Sequence, residues 1–265
     1  MDRSAFDRVV CLHNRKGGVY KTSLVMNIAS IAGAAGHRVL AVDMDSQDNL
    51  SHRFGVDSDG GVALATAMEE QTALDRVIKA RENVDVASGG MELNVFQPPV
   101  NPLDLLVEPL RHLADDYDLI LIDVPPGDRI LTPACLGVGR YLLAPVMPDQ
   151  GSVQGLATLA AEIGQVRAAN PYLTFLGAVL VGTAVNSTRI RANARTELAE
   201  VIGDPDALLT SSIRTSQASA LECERKHLSA VELADFGRIS PTEFFDRLRA
   251  GEKVPQRLDA AGPRI

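Results

Sequence analysis

No stretch of the 265 residues approaches the roughly 20 consecutive apolar residues that a helix needs to cross a bilayer. The opening "MDRSAFDR" has neither the basic start nor the apolar run of a secretion signal, so a cytoplasmic protein is expected. Cysteine is scarce. Cys11, Cys135 and Cys223 stand far apart with no paired spacing, which excludes a disulfide framework and a metal knuckle and leaves plain reduced thiols. Positive charge is in deficit, with 26 Lys and Arg against 34 Asp and Glu and a formal charge of -8. A surface that is basic all over is thereby excluded, and any contact with nucleic acid has to come from a local patch. No Pro/Gly/Ser-rich linker, internal repeat or low-complexity tract interrupts the chain. What it does have is 46% hydrophobic residues, ample for the core of a globular domain.

Short β-branched apolar runs alternate with amphipathic stretches, the pattern of a parallel sheet with crossover helices. Strands are expected at 8–14 ("RVVCLHN"), 37–45, 84–90, 117–127, 140–148, 173–182 and 207–213. Helices are expected from Lys21 to Gly36 and over 102–116, 151–169, 189–202 and 241–249. Residues 50–83 read as a mobile, mainly helical connection carrying "DSDGG" at 57–61. The fold class is therefore α/β, one doubly wound, mostly parallel sheet flanked by helices, occupying residues 1–250. The last segment, 251–265, is expected to fray.

Residues 14–22 read "NRKGGVYKT", with a strand before and a helix after. In a phosphate-binding loop, backbone N–H groups at a helix start converge on the anion, and glycines let the main chain approach it. A lysine then neutralises β and γ oxygens, and a Ser or Thr hydroxyl holds magnesium. Lys21 and Thr22 stand at those two places. Asp43 and Asp45 in "VLAVDMDSQDN" and Asp123 in "LILIDVPPG" lie at the ends of two further strands. Adjacent strand ends of a parallel sheet open on one crevice, so all three carboxylates can face the loop and its metal.

With Lys16 directly before the glycine pair, the loop resembles the deviant Walker A motif of the ParA/MinD ATPases, KGGxGK[ST]. "VDMDSQDN" is similar to that family's DxDPQGN, "YDLILIDVPPG" to its Walker B segment, and "LLAPVMPDQGSVQGL" to its later strand and helix start. The four motifs come in family order over residues 8 to 250. The resemblance implies a P-loop ATPase that uses ATP and Mg2+. Gly17, Gly18, Val19, Tyr20, Lys21, Thr22 and Ser23 would bind the nucleotide, with Lys21 on phosphate within its own subunit. Lys16 would reach across a nucleotide-sandwich homodimer to the partner's phosphates. Thr22, Asp45 and Asp123 would surround magnesium, Asp123 through water. Asp45 would also position or activate the attacking water, with Asp43 supporting the switch region. Phosphoryl transfer to water relies on such positioning and charge stabilisation.

Four features depart from the family pattern. Tyr20 stands where the last glycine of the loop is expected, in a backbone region that a bulky residue enters at a cost of about 1–2 kcal/mol. Its phenol could crowd the β-phosphate, so ATP binding weaker than usual and slow hydrolysis are expected. Ser46 and Asp48 replace Pro and Gly, and Asp48 adds negative charge near the site. The adenine pocket is also not spelled as in the family. Thr183 and Arg214 fall roughly at the base-contacting positions, although a solvated surface residue is the plainer account of each.

Within the family, the final residues lack the amphipathic, basic-flanked helix with which MinD relatives reach membranes, so no membrane contact is expected. Cys135 lies where iron-protein relatives hold a cluster, but no second suitably placed cysteine accompanies it. The DNA-partition branch fits better. "NSTRIRANART" puts Arg189, Arg191 and Arg195 within two turns, and Arg214 follows on a later surface segment. Such arginines are usually a solvated helix face, and in this family they imply salt-sensitive binding to nonspecific DNA. The resemblance thus implies plasmid or chromosome segregation with a centromere-binding ParB-like partner, by a nucleoid-associated dimer or higher oligomer. With the first strand near residue 8, an N-terminal helix-turn-helix domain is not expected. Two rival readings stay open: a scaffold whose nucleotide site Tyr20 impairs, and positioning of a non-DNA cargo.

Overall fold

The computed structural model describes residues 4–147, 150–183 and 208–214, together with residues 192, 193, 196 and 227. Eight strands form one sheet in the order β3-β4-β2-β5-β1-β6-β7-β8. They are β1 (Val9–Leu12), β2 (Val39–Asp43), β3 (Ile78–Arg81), β4 (Val84–Ala87), β5 (Leu119–Asp123), β6 (Tyr141–Val146), β7 (Thr174–Thr183) and β8 (Leu208–Arg214). Every pairing is parallel except that of β3 with β4. Six helices accompany them among the described residues: α1 (Lys21–Ala34), α2 (Asn49–Phe54), α3 (Val62–Glu70), α4 (Val107–Arg111), α5 (Leu131–Val138) and α6 (Gln150–Arg167).

The central strands β1, β2, β5 and β6 are buried along their whole length and almost wholly apolar because both faces are covered. Successive side chains go to opposite sides: Val9 and Cys11 of β1 join the core on the α3–α6 side, Val10 and Leu12 the core beneath α1 and α2. Leu40/Val42 and Val39/Ala41 of β2 divide likewise, as do Ile120/Ile122 and Leu119/Leu121 of β5. In β7 the alternation shifts phase at Gly177 (φ +136°), where the register against β6 slips by one residue.

The expected strands are all present, and three local features differ from expectation. A short strand, β3, occupies part of the supposed helical connection, joined to β4 by a turn in which Asn83 takes φ +61°. Its half-exposed "IKAR" is too polar to read as a strand. The helix expected over 102–116 shrinks to a 3-10 turn (Pro102–Asp104) and α4. Pro109 has no N–H to give the Leu105 carbonyl, which accepts from the Gln71 side-chain amide at 3.2 Å instead. Helix α5 was hidden by Pro133 and Gly137. Pro133 sits in the first turn, where its missing N–H costs nothing, and Asp128 Oδ1 accepts from Ile130 N and Leu131 N, each at 2.7 Å. A Cβ on Gly137 would come within 2.0 Å of the Leu103 carbonyl oxygen, so glycine is what lets α5 pack there. The expected helix over 241–249 and residues 251–265 lie outside the described residues.

Candidate nucleotide site

Register brings the site together. Leu12, the last residue of β1, pairs with Asp123, the last of β5, and Asp123 pairs in turn with Asp43, the last of β2. Three adjacent strands therefore release the 14–22 loop, Asp123 and the Asp43–Asp45 turn at one sheet end, beside the point where strand order reverses about β1.

The loop turns through two left-handed residues. Gly18 has φ +73°, and Tyr20 has φ +60° and ψ +24°; the Tyr20 carbonyl accepts from Leu24 N at 2.9 Å and so opens α1. Tyrosine thus adopts the conformation that a glycine would hold there. A Cβ built on Gly17 or Gly18 meets no atom within 4 Å, so the space at both positions is open and the side chain of Tyr20, a residue 37% exposed, does not fill it. Tyr20→Gly is therefore expected to change ATP affinity by no more than about fivefold, because its gain is confined to a backbone strain of about 1 kcal/mol. Titration of ATP into both proteins checks this, and a much larger gain for the glycine variant would mean that the phenol obstructs phosphate.

Lys21 is buried, and its Nζ donates to the Asn14 carbonyl at 3.5 Å. Burial lowers its pKa, and the carboxylates of Asp123 and Asp45 pull it back up. Asp123 is buried beside it. Desolvation pushes its carboxyl up to about 6, against the opposing effects of the Thr22 hydroxyl, which donates to it, and of the Lys21 charge. One oxygen of Asp123, Oδ2, has no hydrogen-bond partner among the described residues. An orphaned carboxylate oxygen next to a threonine hydroxyl suits magnesium, which takes oxygen ligands and keeps several waters. These residues fit the ion.

The two other carboxylates divide the work. Asp43 is fully buried and spent on backbone: Oδ1 accepts from Asp45 N at 3.0 Å and Oδ2 from Leu50 N at 2.9 Å. Burial, then the neighbouring Asp123, raises its pKa, and the two N–H donors lower it. It closes the 43–50 turn. Asp45 is half-buried, its Oδ1 accepting from Gln47 N at 3.0 Å, and its charge reaches Lys21 and Asp123. Asp48 takes φ +52° at the start of α2, so it too stands in the left-handed conformation its family glycine would favour, one that Asp tolerates better than most residues.

The support of this turn comes from segments distant in sequence. Gly89, just after β4, backs it so closely that a Cβ would lie 2.5 Å from the Asp45 carbonyl oxygen and 2.9 Å from Asp43 Cγ. Gly90 abuts Gly60 in the same way, at 2.2 Å. Asp59 fixes the contact by accepting from Ser88 Oγ at 2.7 Å and from Gly61 N and Ala63 N at 3.0 Å. Two separated Gly-Gly pairs, 60–61 and 89–90, were the available signal. Gly89→Ala is expected to cost about 1–3 kcal/mol of stability through overpacking. It should also slow ATP turnover several-fold by displacing Asp45; thermal unfolding and phosphate release measure the two effects.

Lys16 donates its backbone N–H to Asn14 Oδ1 at 3.0 Å. Thr183 and Arg214 end up as paired positions at the ends of β7 and β8, two and three strands from β1 on the loop's end of the sheet. Arg189, Arg191 and Arg195 lie outside the described residues. Cys135 is buried in the core, where Cys11 Sγ donates to its carbonyl at 3.2 Å.

Residues 7–175 match the family described as AAA domain. The chain is 30% identical over 201 residues to the chromosome-partitioning ATPase Soj of Thermus thermophilus, covering 74% of this chain and 78% of that protein. The chain belongs to the ParA/MinD family of ATPases. Among solved structures, the cell division ATPase MinD of Pyrococcus furiosus superposes with a TM-score of 0.70 at 26% identity, over 94% of this chain and all of that one. The cobyrinic acid a,c-diamide synthase of Mycobacterium smegmatis, solved with ADP and magnesium, superposes with a TM-score of 0.63 at 25% identity over 73% of this chain and 81% of that one. Nucleotide and magnesium binding is thus found within the family on this sheet. No helix among the described residues is long and apolar enough to cross a membrane.

Proposed function

We propose that the chain is a ParA-type partition ATPase that segregates plasmid or chromosomal DNA. The observation that carries this reading is the two-lysine loop, open over Gly17 and Gly18, set beside Asp45 and the orphaned oxygen of Asp123. Similarity to a chromosome-partitioning ATPase supports the choice of branch. ATP with magnesium occupies the loop, Lys21 and Thr22 hold phosphate and metal, and Asp45 orients water. Lys16 completes the site of a second copy, so that the ATP form is a homodimer. That dimer binds nonspecific DNA through Arg189, Arg191, Arg195 and Arg214, and a ParB-like centromere-binding partner speeds hydrolysis and release. The protein then resides in the cytoplasm on the nucleoid. Tyr20 permits the cycle and makes it slow.

Retention on nonspecific DNA tests the reading. The wild type with ATP and magnesium should be retained and should elute with ADP or with added salt, since each phosphate contact releases counterions. ATP-dependent dimers that ignore DNA would point to a cargo other than DNA.

A further inference from the structure

The start of the loop is gripped from both sides. Asn14 Nδ2 donates to the Pro145 carbonyl, at the end of β6, at 2.8 Å, while Asn14 Oδ1 holds Lys16 N. His13 and Arg15 flank Asn14 in the chain and share one partner, Glu162 of α6. His13 Nε2 lies 3.1 Å from Glu162 Oε2, and Arg15 NH1 donates to Glu162 Oε1 at 2.9 Å. His13 is fully buried, and its other nitrogen, Nδ1, has no partner. Among the described residues, the ring's one hydrogen-bond partner is therefore this carboxylate, which is itself four-fifths covered.

An ordinary packing role does not need this arrangement. A surface pair such as Arg15–Glu162 is worth little by itself. A buried imidazole with a single polar contact is costly, however, and breaking that contact leaves the ring unsatisfied. Both oxygens of one carboxylate are used to fix residues 13 and 15, and the residue between them holds the backbone of Lys16. A lysine that must place its charge at a phosphate loses four side-chain torsions in doing so. Holding its Cα in advance reduces what remains to be ordered.

We infer that Glu162 is a positioning residue for Lys16: through His13 and Arg15 it ties α6 to the loop and sets the base from which the Lys16 side chain reaches phosphate. The inference rests on the ATPase reading above for what Lys16 does, and on geometry alone for the bracket. Among the described residues, the hydrogen bonds and ion pairs of Glu162 go to His13 and Arg15 and not to the Gly17–Thr22 cradle or Asp123, so nucleotide affinity should be nearly independent of it and turnover should not.

Hydrogen exchange of residues 13–18 in nucleotide-free protein and steady-state ATP hydrolysis are measured on the wild type, Glu162→Ala and Glu162→Gln. In the alanine variant the loop should exchange about tenfold faster, reflecting a local opening. Its kcat should fall by about tenfold with KM changed less than about twofold, the pattern of an interaction made in the transition state. Glutamine, of equal length and still able to hydrogen-bond, should fall between. Unchanged exchange in Glu162→Ala overturns the bracket. Faster exchange with unchanged kcat overturns the link to Lys16, as does a rise in KM alone. Absence of turnover in the wild type is a different failure, that of the ATPase reading, and the exchange data then still decide whether Glu162 holds the loop.

Discussion

Lys21→Ala is expected to lower kcat/KM for ATP by about a thousandfold, equivalent to about 4 kcal/mol of lost charge stabilisation in a site that excludes most water. The size follows from where the ammonium sits. It is buried at the head of α1, so its attraction for an incoming phosphate is weakly screened. Its burial also lowers its own pKa, and the Asp123 and Asp45 charges oppose that shift, so ammonium and carboxylates each make the others' charged forms less costly. Removing the lysine leaves Asp123 buried with one fewer counter-charge. The variant should therefore be less stable as well as inactive, unlike a surface lysine substitution. Nucleotide titration and phosphate release measure the first effect, thermal unfolding the second. An alanine variant that turns over ATP within about tenfold of the wild type would remove Lys21 from the site.

Asp123→Asn should separate activity from stability in the opposite sense. Burial pushes the Asp123 carboxyl up to about 6 from an ordinary 3.8, so the folded chain holds this proton more tightly than the unfolded one. Stability from this group is fully present below about pH 4, falls as pH rises towards about 6, and stays low above that. At neutral pH the ionised carboxylate is a burden on the nucleotide-free protein. An amide of the same shape removes it and should stabilise that protein by about 1–3 kcal/mol, raising Tm by several degrees. The same change removes the oxygen free to meet magnesium and should abolish magnesium-dependent turnover. Unfolding in a chelator at pH 7 and at pH 5 distinguishes the two states: the gain should shrink at the lower pH. A lower Tm for the asparagine variant at both pH values would mean that the carboxylate is a structural anchor.

The parallel sheet and the placing of the loop and carboxylates at one end of it were legible because both leave periodic or spaced marks. Continuous apolar runs ended by Asp43 and Asp123 mark buried parallel strands that stop at a charged crevice, and "KGGVYKT" marks the loop between a strand and a helix. Less visible were features that depend on contacts between distant segments. The Asp59–Ser88 bond and the Gly60–Gly90 contact join residues about thirty apart, and nothing local to either stretch names the other. Glu162 reads in sequence as one more polar residue on α6; only the packing of α6 beside β1 makes it the partner of His13. Tyr20 shows a different limit. Residue type says that tyrosine avoids the left-handed region, whereas the loop and the start of α1 together impose it, and the side chain leaves the space at Gly17 and Gly18 open.

On the function proposed above, the loop at residues 14–22, with Thr22 and Asp123, forms a working magnesium–ATP site despite Tyr20. Calorimetric titration of ATP into the wild-type protein, with magnesium and then with a chelator, tests it most directly. Saturable binding of one nucleotide per chain that strengthens with magnesium is the result predicted. No binding, or binding indifferent to magnesium, would contradict it.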